Sequence, residues 1–118
     1  MLHKYDIVWL RMEPHSGIEE GSHDIHHLFR PVIVCSNQYY NQIGMIIGMP
    51  ITSHQGLGPL NQDLIKIKTN LNRIHGYAIP FKIGGYDYHS CQAKKVDSLK
   101  VTYQYKINEV LRDALADE

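Results

Sequence analysis

Short apolar runs dominate the hydrophobic pattern of this chain. The runs 6–10, 31–36 and 44–52 are rich in Ile, Val and other apolar residues, and polar or turn-forming residues separate them. Each run predicts a β-strand. The second and third runs have almost no polar alternation, as expected for strands that are covered on both faces in a compact barrel or sandwich.

Two further runs, 77–83 and 86–96, predict a hairpin. They are joined by Gly84 and Gly85, a pair that can supply the positive φ of a tight turn. Five short strands in this order favour a small β-barrel.

Two segments have helical periodicity. Near the C-terminus the apolar positions share one face and the charges lie opposite, which predicts an amphipathic helix. Those apolar positions are Ile107, Val110, Leu111, Ala114 and Leu115. A 3.5-residue spacing also predicts an inserted helix between the third and fourth strands, although its β-branched neighbours and two asparagines oppose it. The positions with that spacing are Leu60, Leu64, Ile67, Leu71 and Ile74.

Composition places the chain among ordinary globular proteins. Its 118 residues, 43% hydrophobic and 20% charged, predict a single domain spanning 1–118. No apolar run is long enough to cross a membrane, and the first residues lack the features of a signal peptide. Two cysteines without CxxC spacing then favour reduced thiols in the cytoplasm.

Charge is balanced overall but unevenly distributed. Lysines, arginines and acids cancel to zero, yet the segment 64–106 has eight bases against two acids, a net +6 that leaves −6 elsewhere. Such a basic half could steer a polyanion, or it could be a solvated face.

Two short motifs have residue types that suit phosphate chemistry. Arg30 precedes Pro31 where a loop enters a predicted strand, and a guanidinium there can grip a phosphate. Thr52, Ser53 and His54 end the third predicted strand, where hydroxyls and backbone amides can bind phosphate oxygens and an imidazole can move a proton. Taken alone, the first motif is more often an ordinary surface arginine, and the second is more often a Thr-Ser turn.

Two other features are weaker evidence for a metal site or a catalytic residue. His23, His26 and His27 lie close together in a loop and could bind Zn²⁺, but no fourth ligand accompanies them, so a solvated loop is favoured. Cys91 lies in a predicted buried strand and is interpreted as a small hydrophobe rather than a nucleophile.

Four motifs in sequence order, together with the C-terminal helix, resemble the MazF/PemK (Kid-like) toxins. The motifs are Asp6–Trp9 followed by Glu13-Pro14, Gly17 and Glu19; R-P-V-I-V-C-S-N at 30–37; the third strand ending in P-I-T-S at 50–53; and Q-A-K-K-V-D at 92–97. They cover most of the chain.

The resemblance implies a mainly β fold, a small SH3-like β-barrel of about five to seven short strands with a C-terminal helix, which forms a homodimer. It implies the toxin of a type II toxin–antitoxin system, an mRNA interferase that cleaves single-stranded RNA at selected sequences without a metal or cofactor. The expected partner besides RNA is a cognate antitoxin whose disordered tail lies in the RNA groove.

The resemblance also implies roles for particular residues. Arg30 and Thr52 take the positions of the central catalytic residues. A ribose 2′-OH would attack the adjacent phosphate, and these two side chains would stabilise the charge that develops. The products would be 2′,3′-cyclic phosphate and 5′-OH ends. The expected substrate-binding residues are Glu19, Ser53, Gln92 and Lys94.

One departure from the family pattern concerns proton transfer. Cys91 stands where the family commonly has an acid, so the general base is unassigned. His54 is the first substitute and a histidine of the 23–27 loop the second. The loops before Arg30 and after Ser53 are longer than usual, so the RNA sequence cannot be transferred from the family.

Two alternatives remain open. A non-catalytic toxin of the same fold, similar to the CcdB toxins that poison gyrase by binding it, fits the zero net charge and Cys91. A metal-dependent interaction domain built on the three loop histidines is the other.

Overall fold

The computed structural model describes residues 1–11, 29–53 and 62–118. Within these residues the protein has seven strands and two α-helices. In chain order they are β1 (Asp6–Arg11), β2 (Phe29–Val34), α1 (Gln38–Asn41), β3 (Met45–Thr52), β4 (Ile65–Ile67), β5 (Gly76–Ala78), β6 (Gly84–Asp87), β7 (Lys94–Ser98) and α2 (Val101–Leu115). A 3₁₀ turn at Pro80–Lys82 separates β5 from β6.

The strands form one curled antiparallel sheet, a half-barrel, with the order β4-β5-β3-β2-β1-β7. The long strand β3 produces the curl because two different strands pair with it beyond β2. Its first half pairs with β6, and its last two residues pair with β5. The mainly β fold with a C-terminal helix confirms the sequence prediction.

The central strands β1, β2 and β3 are covered on both faces, as the apolar runs of β2 and β3 predicted. Alternate residues enter two separate clusters, because successive side chains of a strand point to opposite faces. Ile7 and Ile33 belong to the larger cluster, and Val8 and Val32 to the smaller. A Cβ at Gly48 would collide with the side chain of Val32, so glycine allows β2 and β3 to pack this closely.

The helix α2 confirms the C-terminal prediction and packs on the larger cluster. Ile107 is fully buried there, and Val110 and Leu111 pack beside it. The last turn differs from the prediction, since Ala114 and Leu115 are both exposed.

The predicted inserted helix at 60–74 is wrong in the part of it that the structure describes. Ile65 and Ile67 are buried in β4 while Lys66 is exposed, a period of two that belongs to a strand. Leu71, a predicted apolar-face residue, is 59% exposed. The short helix that does occur, α1, lies between β2 and β3 and is capped by the Asn37 side chain, which accepts from the Tyr40 amide.

The predicted Gly84-Gly85 hairpin is also wrong. Neither glycine has a positive φ, and both lie inside β6, opposite Gly48 and Ile47 of β3. The chain turns instead after Asp87, whose carboxylate accepts from the amides of the next turn. Cys91 therefore lies in this turn rather than in a buried strand.

Candidate functional site

A cleft of about 860 Å³ lies at the end of the sheet where β2 begins and β3 ends. Its apolar lining includes Trp9, Ile74 and Ile79. Six polar side chains line it as well: Arg30, Thr52, Ser53, Arg73, His75 and Lys82. The cleft therefore combines an apolar floor with hydrogen-bonding and basic groups.

Strand register brings Arg30 and Thr52 to the same place. Val32 pairs with Pro50 across β2 and β3. Arg30 is two residues before Val32 and Thr52 is two residues after Pro50, so both lie on the same face at the same end of the antiparallel pair. Arg30 is exposed, and its Nη1 donates to the Phe29 carbonyl oxygen at 3.0 Å.

Gly76 holds the end of β3 against β5. Its φ is +141°, and a Cβ there would collide with the carbonyl oxygen of Thr52. Tyr77, the next residue, pairs with Thr52 in the ladder. Only glycine permits this approach without displacement, so the backbone around Thr52 is fixed by a neighbour far along the chain.

A buried carboxylate holds the turn that carries Arg73. Asp97 of β7 accepts from the amides of Leu71 and Arg73 at 2.9 and 3.1 Å, and from the Ser98 amide at 2.8 Å. Burial raises the pKa of Asp97, but hydrogen bonds from Thr69 and these amides outweigh it and hold the pKa below its usual range. Asp97 is thus an ionised anchor for the segment that leads into β5.

The cleft has a single sign of charge among the residues described. Arg30, Arg73 and Lys82 are cationic, and no acidic side chain in the described ranges lines the cleft. A water-accessible cleft with several cations suits a polyanion such as a phosphodiester chain. Sequence reasoning did not single out Arg73, His75 or Lys82. The excess of bases in 64–106 includes Arg73 and Lys82 but gives no sign of His75.

Comparison with known proteins gives a family for this arrangement. Residues 3–115 match the model of the PemK-like, MazF-like toxins of type II toxin–antitoxin systems. The chain belongs to this family. A comparison with curated protein sequences gave no significant match.

Solved structures with the same fold include MazF proteins of Deinococcus radiodurans. MazF in crystal form I superposes with a TM-score of 0.73 at 22% identity, covering 97% of this chain and 96% of that one. A MazE–MazF complex in form II gives 0.72 at 18% identity, covering 99% and 97%. A form III complex gives 0.71 at 19% identity, covering 97% and 95%. At these identities the likeness shows the fold.

The other residues singled out by the family resemblance are not all in the cleft. Gln92 is exposed in the turn before β7, with a φ of 52°. Lys94 begins β7 directly opposite Trp9, which lines the cleft, so Lys94 borders it without entering it. Glu19, His54 and the three histidines at 23, 26 and 27 lie outside the described residues.

A second cavity, here termed the α2 groove, has about 650 Å³ and lies between α2 and the sheet. It is mostly apolar, and its lining includes Ile47, Ile83, Leu111 and Leu115. Cys35 also lines it, and burial raises the pKa of its thiol to about 12 although nearby Lys4 lowers it. This thiol is therefore protonated and unreactive near neutral pH.

Neither a metal site nor a membrane span is found in the part of the chain that the structure describes. No three His, Cys, Asp or Glu side chains there are placed to share a metal ion. No helix there has the length and apolarity to cross a membrane.

Proposed function

We propose that this family member is an endoribonuclease that cleaves single-stranded RNA, mRNA in the cell, at selected sequences. The observation that carries the proposal is the meeting of Arg30, Thr52 and Ser53 at one basic cleft. The cleft's apolar floor, which includes Trp9, offers surfaces on which unpaired bases can stack.

The reaction follows from the chemistry of the substrate. The ribose 2′-OH attacks the neighbouring phosphorus and the bond to the 5′ oxygen breaks, which gives 2′,3′-cyclic phosphate and 5′-OH ends. Negative charge builds on the non-bridging oxygens. Arg30 supplies a permanent positive charge there, and the Thr52 hydroxyl supplies a donor, so both stabilise the transition state more than the substrate. Ser53 and adjacent backbone groups hold the phosphate.

The decisive experiment compares wild type with Arg30→Ala on long single-stranded RNA in excess EDTA, with fragment ends mapped. We expect discrete cuts from the wild type and a loss of about 100- to 1,000-fold in Arg30→Ala. Lys106→Ala, which removes a positive charge from α2, is the matched control and should cut normally. Circular dichroism verifies that each variant is folded.

Two results would contradict this proposal. One is unchanged cutting by folded Arg30→Ala, which would reject the proposed mechanism. The other is no cutting of several RNAs by folded wild type, which would favour a non-catalytic toxin that binds a protein target, as the CcdB toxins do. Cuts that vanish in EDTA would reject the metal-independent mechanism only.

We also propose a cognate antitoxin as the protein partner, in the cytoplasm where mRNA is available. Two of the similar structures are complexes of MazF with MazE. An acidic, disordered tail would complement the basic cleft and compete with RNA for Arg30 and Arg73. Added antitoxin should therefore inhibit cutting and raise the RNA concentration needed for half-maximal rate.

A homodimer is the assembly we propose, with the α2 groove as part of its interface. Leu115, which lines the groove, is 83% exposed, and Val101 and Tyr105 on the same helix are also exposed. Exposed apolar surface of this kind is typical of protein–protein contacts. Sedimentation equilibrium tests this directly: we expect a dimer that Leu115→Glu dissociates. A monomeric wild type would reject it.

A further inference from the structure

We propose that His75 is the general base of the cleavage, the group that accepts the proton from the attacking 2′-OH. The proposal rests on the proposed ribonuclease function and names a residue that neither the sequence motifs nor the family pattern indicated. His75 lines the same cleft as Arg30 and Thr52, and it is the one histidine among the described residues that does so.

The backbone holds His75 close to the phosphate-binding groups. His75 immediately precedes Gly76, whose backbone lies against the end of β3: an ideal Cβ on Gly76 would be 3.1 Å from the Ser53 Cα. The Tyr77–Thr52 pair fixes the register on the other side. On the preceding side, Asp97 accepts from the Arg73 amide. His75 therefore lies on a short segment between Arg73 and Gly76, whose backbones are both held in place, and its own side chain is exposed.

The chemistry of the lining leaves few alternatives within the described part of the cleft. Arginine and lysine stay protonated near neutral pH, and the hydroxyls of Thr52 and Ser53 are weak bases. Histidine is the side-chain type that exchanges a proton in this range. The charged side chains that line the described part of the cleft together with His75 are all cationic: Arg30 from β2, Arg73 from the same segment as His75 and Lys82 from the 3₁₀ turn.

In the proposed step, His75 accepts one proton while phosphorus exchanges its bond to the 5′ oxygen for a bond to the 2′ oxygen. The neutral imidazole of His75 takes the 2′ proton while the 2′ oxygen's electron pair forms the new bond to phosphorus. The bond from phosphorus to the 5′ oxygen breaks, and its electron pair stays on that oxygen, which takes a proton from water. The imidazolium then gives its proton to the hydroxide so formed, and the enzyme returns to its starting state.

The test measures single-turnover cleavage of a short synthetic RNA, carrying a mapped cut site, as a function of pH. We expect His75→Gln to lower the rate about 100-fold or more at neutral pH and to abolish the fall in wild-type rate toward acid. His3→Gln, which changes an exposed histidine before β1, is the matched control and should retain the wild-type profile.

A substrate with sulfur in place of the 5′ bridging oxygen separates base from acid, because a thiolate leaves without protonation. If His75 is the base, the His75→Gln defect persists on this substrate. If the His75→Gln defect disappears on the sulfur substrate, His75 is not the general base. The same conclusion follows if the fall in rate toward acid pH survives in His75→Gln but is lost in His54→Gln. A wild type that cuts no RNA would instead reject the proposed function itself, so the two failures are distinct.

Discussion

The cleft and the α2 groove both contain apolar side chains, but they differ in how many polar groups line them. The cleft, about 860 Å³, is bordered by six polar side chains, among them Arg30, Arg73 and Lys82, whereas the groove, about 650 Å³, is bordered chiefly by aliphatic side chains, with Lys4, Asn108 and Arg112 beside them. The cleft is formed by strand ends and a turn that hydrogen bonds fix. The groove is formed by a helix that packs through apolar contacts. The difference suits a charged substrate that binds and leaves in one case and a lasting apolar contact in the other.

We expect the largest loss of stability from a substitution in the part of α2 that packs in the hydrophobic core. Ile107→Ala removes a fully buried side chain, which costs about 2–5 kcal/mol in the free energy of unfolding. Leu115→Ala on the same helix changes an exposed side chain and should cost less than about 0.5 kcal/mol in the protomer. Urea unfolding at low protein concentration measures both.

Equal losses in these two variants would contradict the difference in burial along α2. A loss at Leu115 that grows with protein concentration would instead report the proposed homodimer, because burial of the groove then depends on assembly.

Among the residues around the cleft, we expect substitution of Gly76 to have the largest effect on stability and cleavage. An alanine there must adopt a φ of +141° and displace the Thr52 carbonyl, so we expect a loss of about 2–3 kcal/mol in stability and a large fall in cleavage rate. Gly85→Ala is the matched control, since the nearest atom to its new Cβ is Met45 Cε at 3.9 Å. A Gly76→Ala protein with wild-type stability would show that β5 does not hold the end of β3.

How far sequence can predict this fold depends on how local the signal is. The strands β1 to β3 were predictable because each is a dense apolar run whose burial needs no knowledge of its partner. The segment 60–74 was not, since Ile67 fits both a helical spacing with Leu64 and Leu71 and a strand spacing with Ile65. The choice between the two periods is made by the pairing of β4 with β5.

The residues of the candidate site also differ in how far the local sequence predicts them. Arg30 and Thr52 were predictable from short motifs at strand ends. Arg73 and His75 were not, because their positions depend on Asp97, more than twenty residues away, and on contact of Gly76 with Thr52. The wrong helix, predicted for 60–74, also placed Arg73 on an element that the described residues do not form.

Asp97→Asn tests the anchor beneath the cleft, with a smaller expected effect of about 2 kcal/mol at neutral pH. The pKa of Asp97 is lowered by folding, so its contribution is present above the unfolded value near 4 and is lost as pH falls through the folded value. The stability difference between wild type and variant should therefore shrink below about pH 4.

Thermal unfolding from neutral to acid pH measures this, with Asp113→Asn, an exposed carboxylate on α2, as control. A difference that is constant with pH would mean that the carboxylate's charge does not stabilise the turn.

Arg73→Ala should have the smallest effect and the most specific one. Its Nη1 donates to the Val96 carbonyl at 3.3 Å, which uses one of the five N–H donors of the guanidinium. If the head group also contacts an RNA phosphate, its loss weakens RNA binding by a few fold and reduces the salt dependence of the binding constant by about 0.7 in log–log slope.

Lys66→Ala, which removes an exposed charge on β4 outside the cleft, should leave that slope unchanged. Binding measured over a range of salt concentrations, with a catalytically blocked 2′-deoxy substrate, separates the two variants. Equal slopes would mean that the charge of the whole basic half attracts RNA. A difference confined to Arg73 would mean that phosphate contacts are made in the cleft itself and not through the charge of the whole segment 64–106.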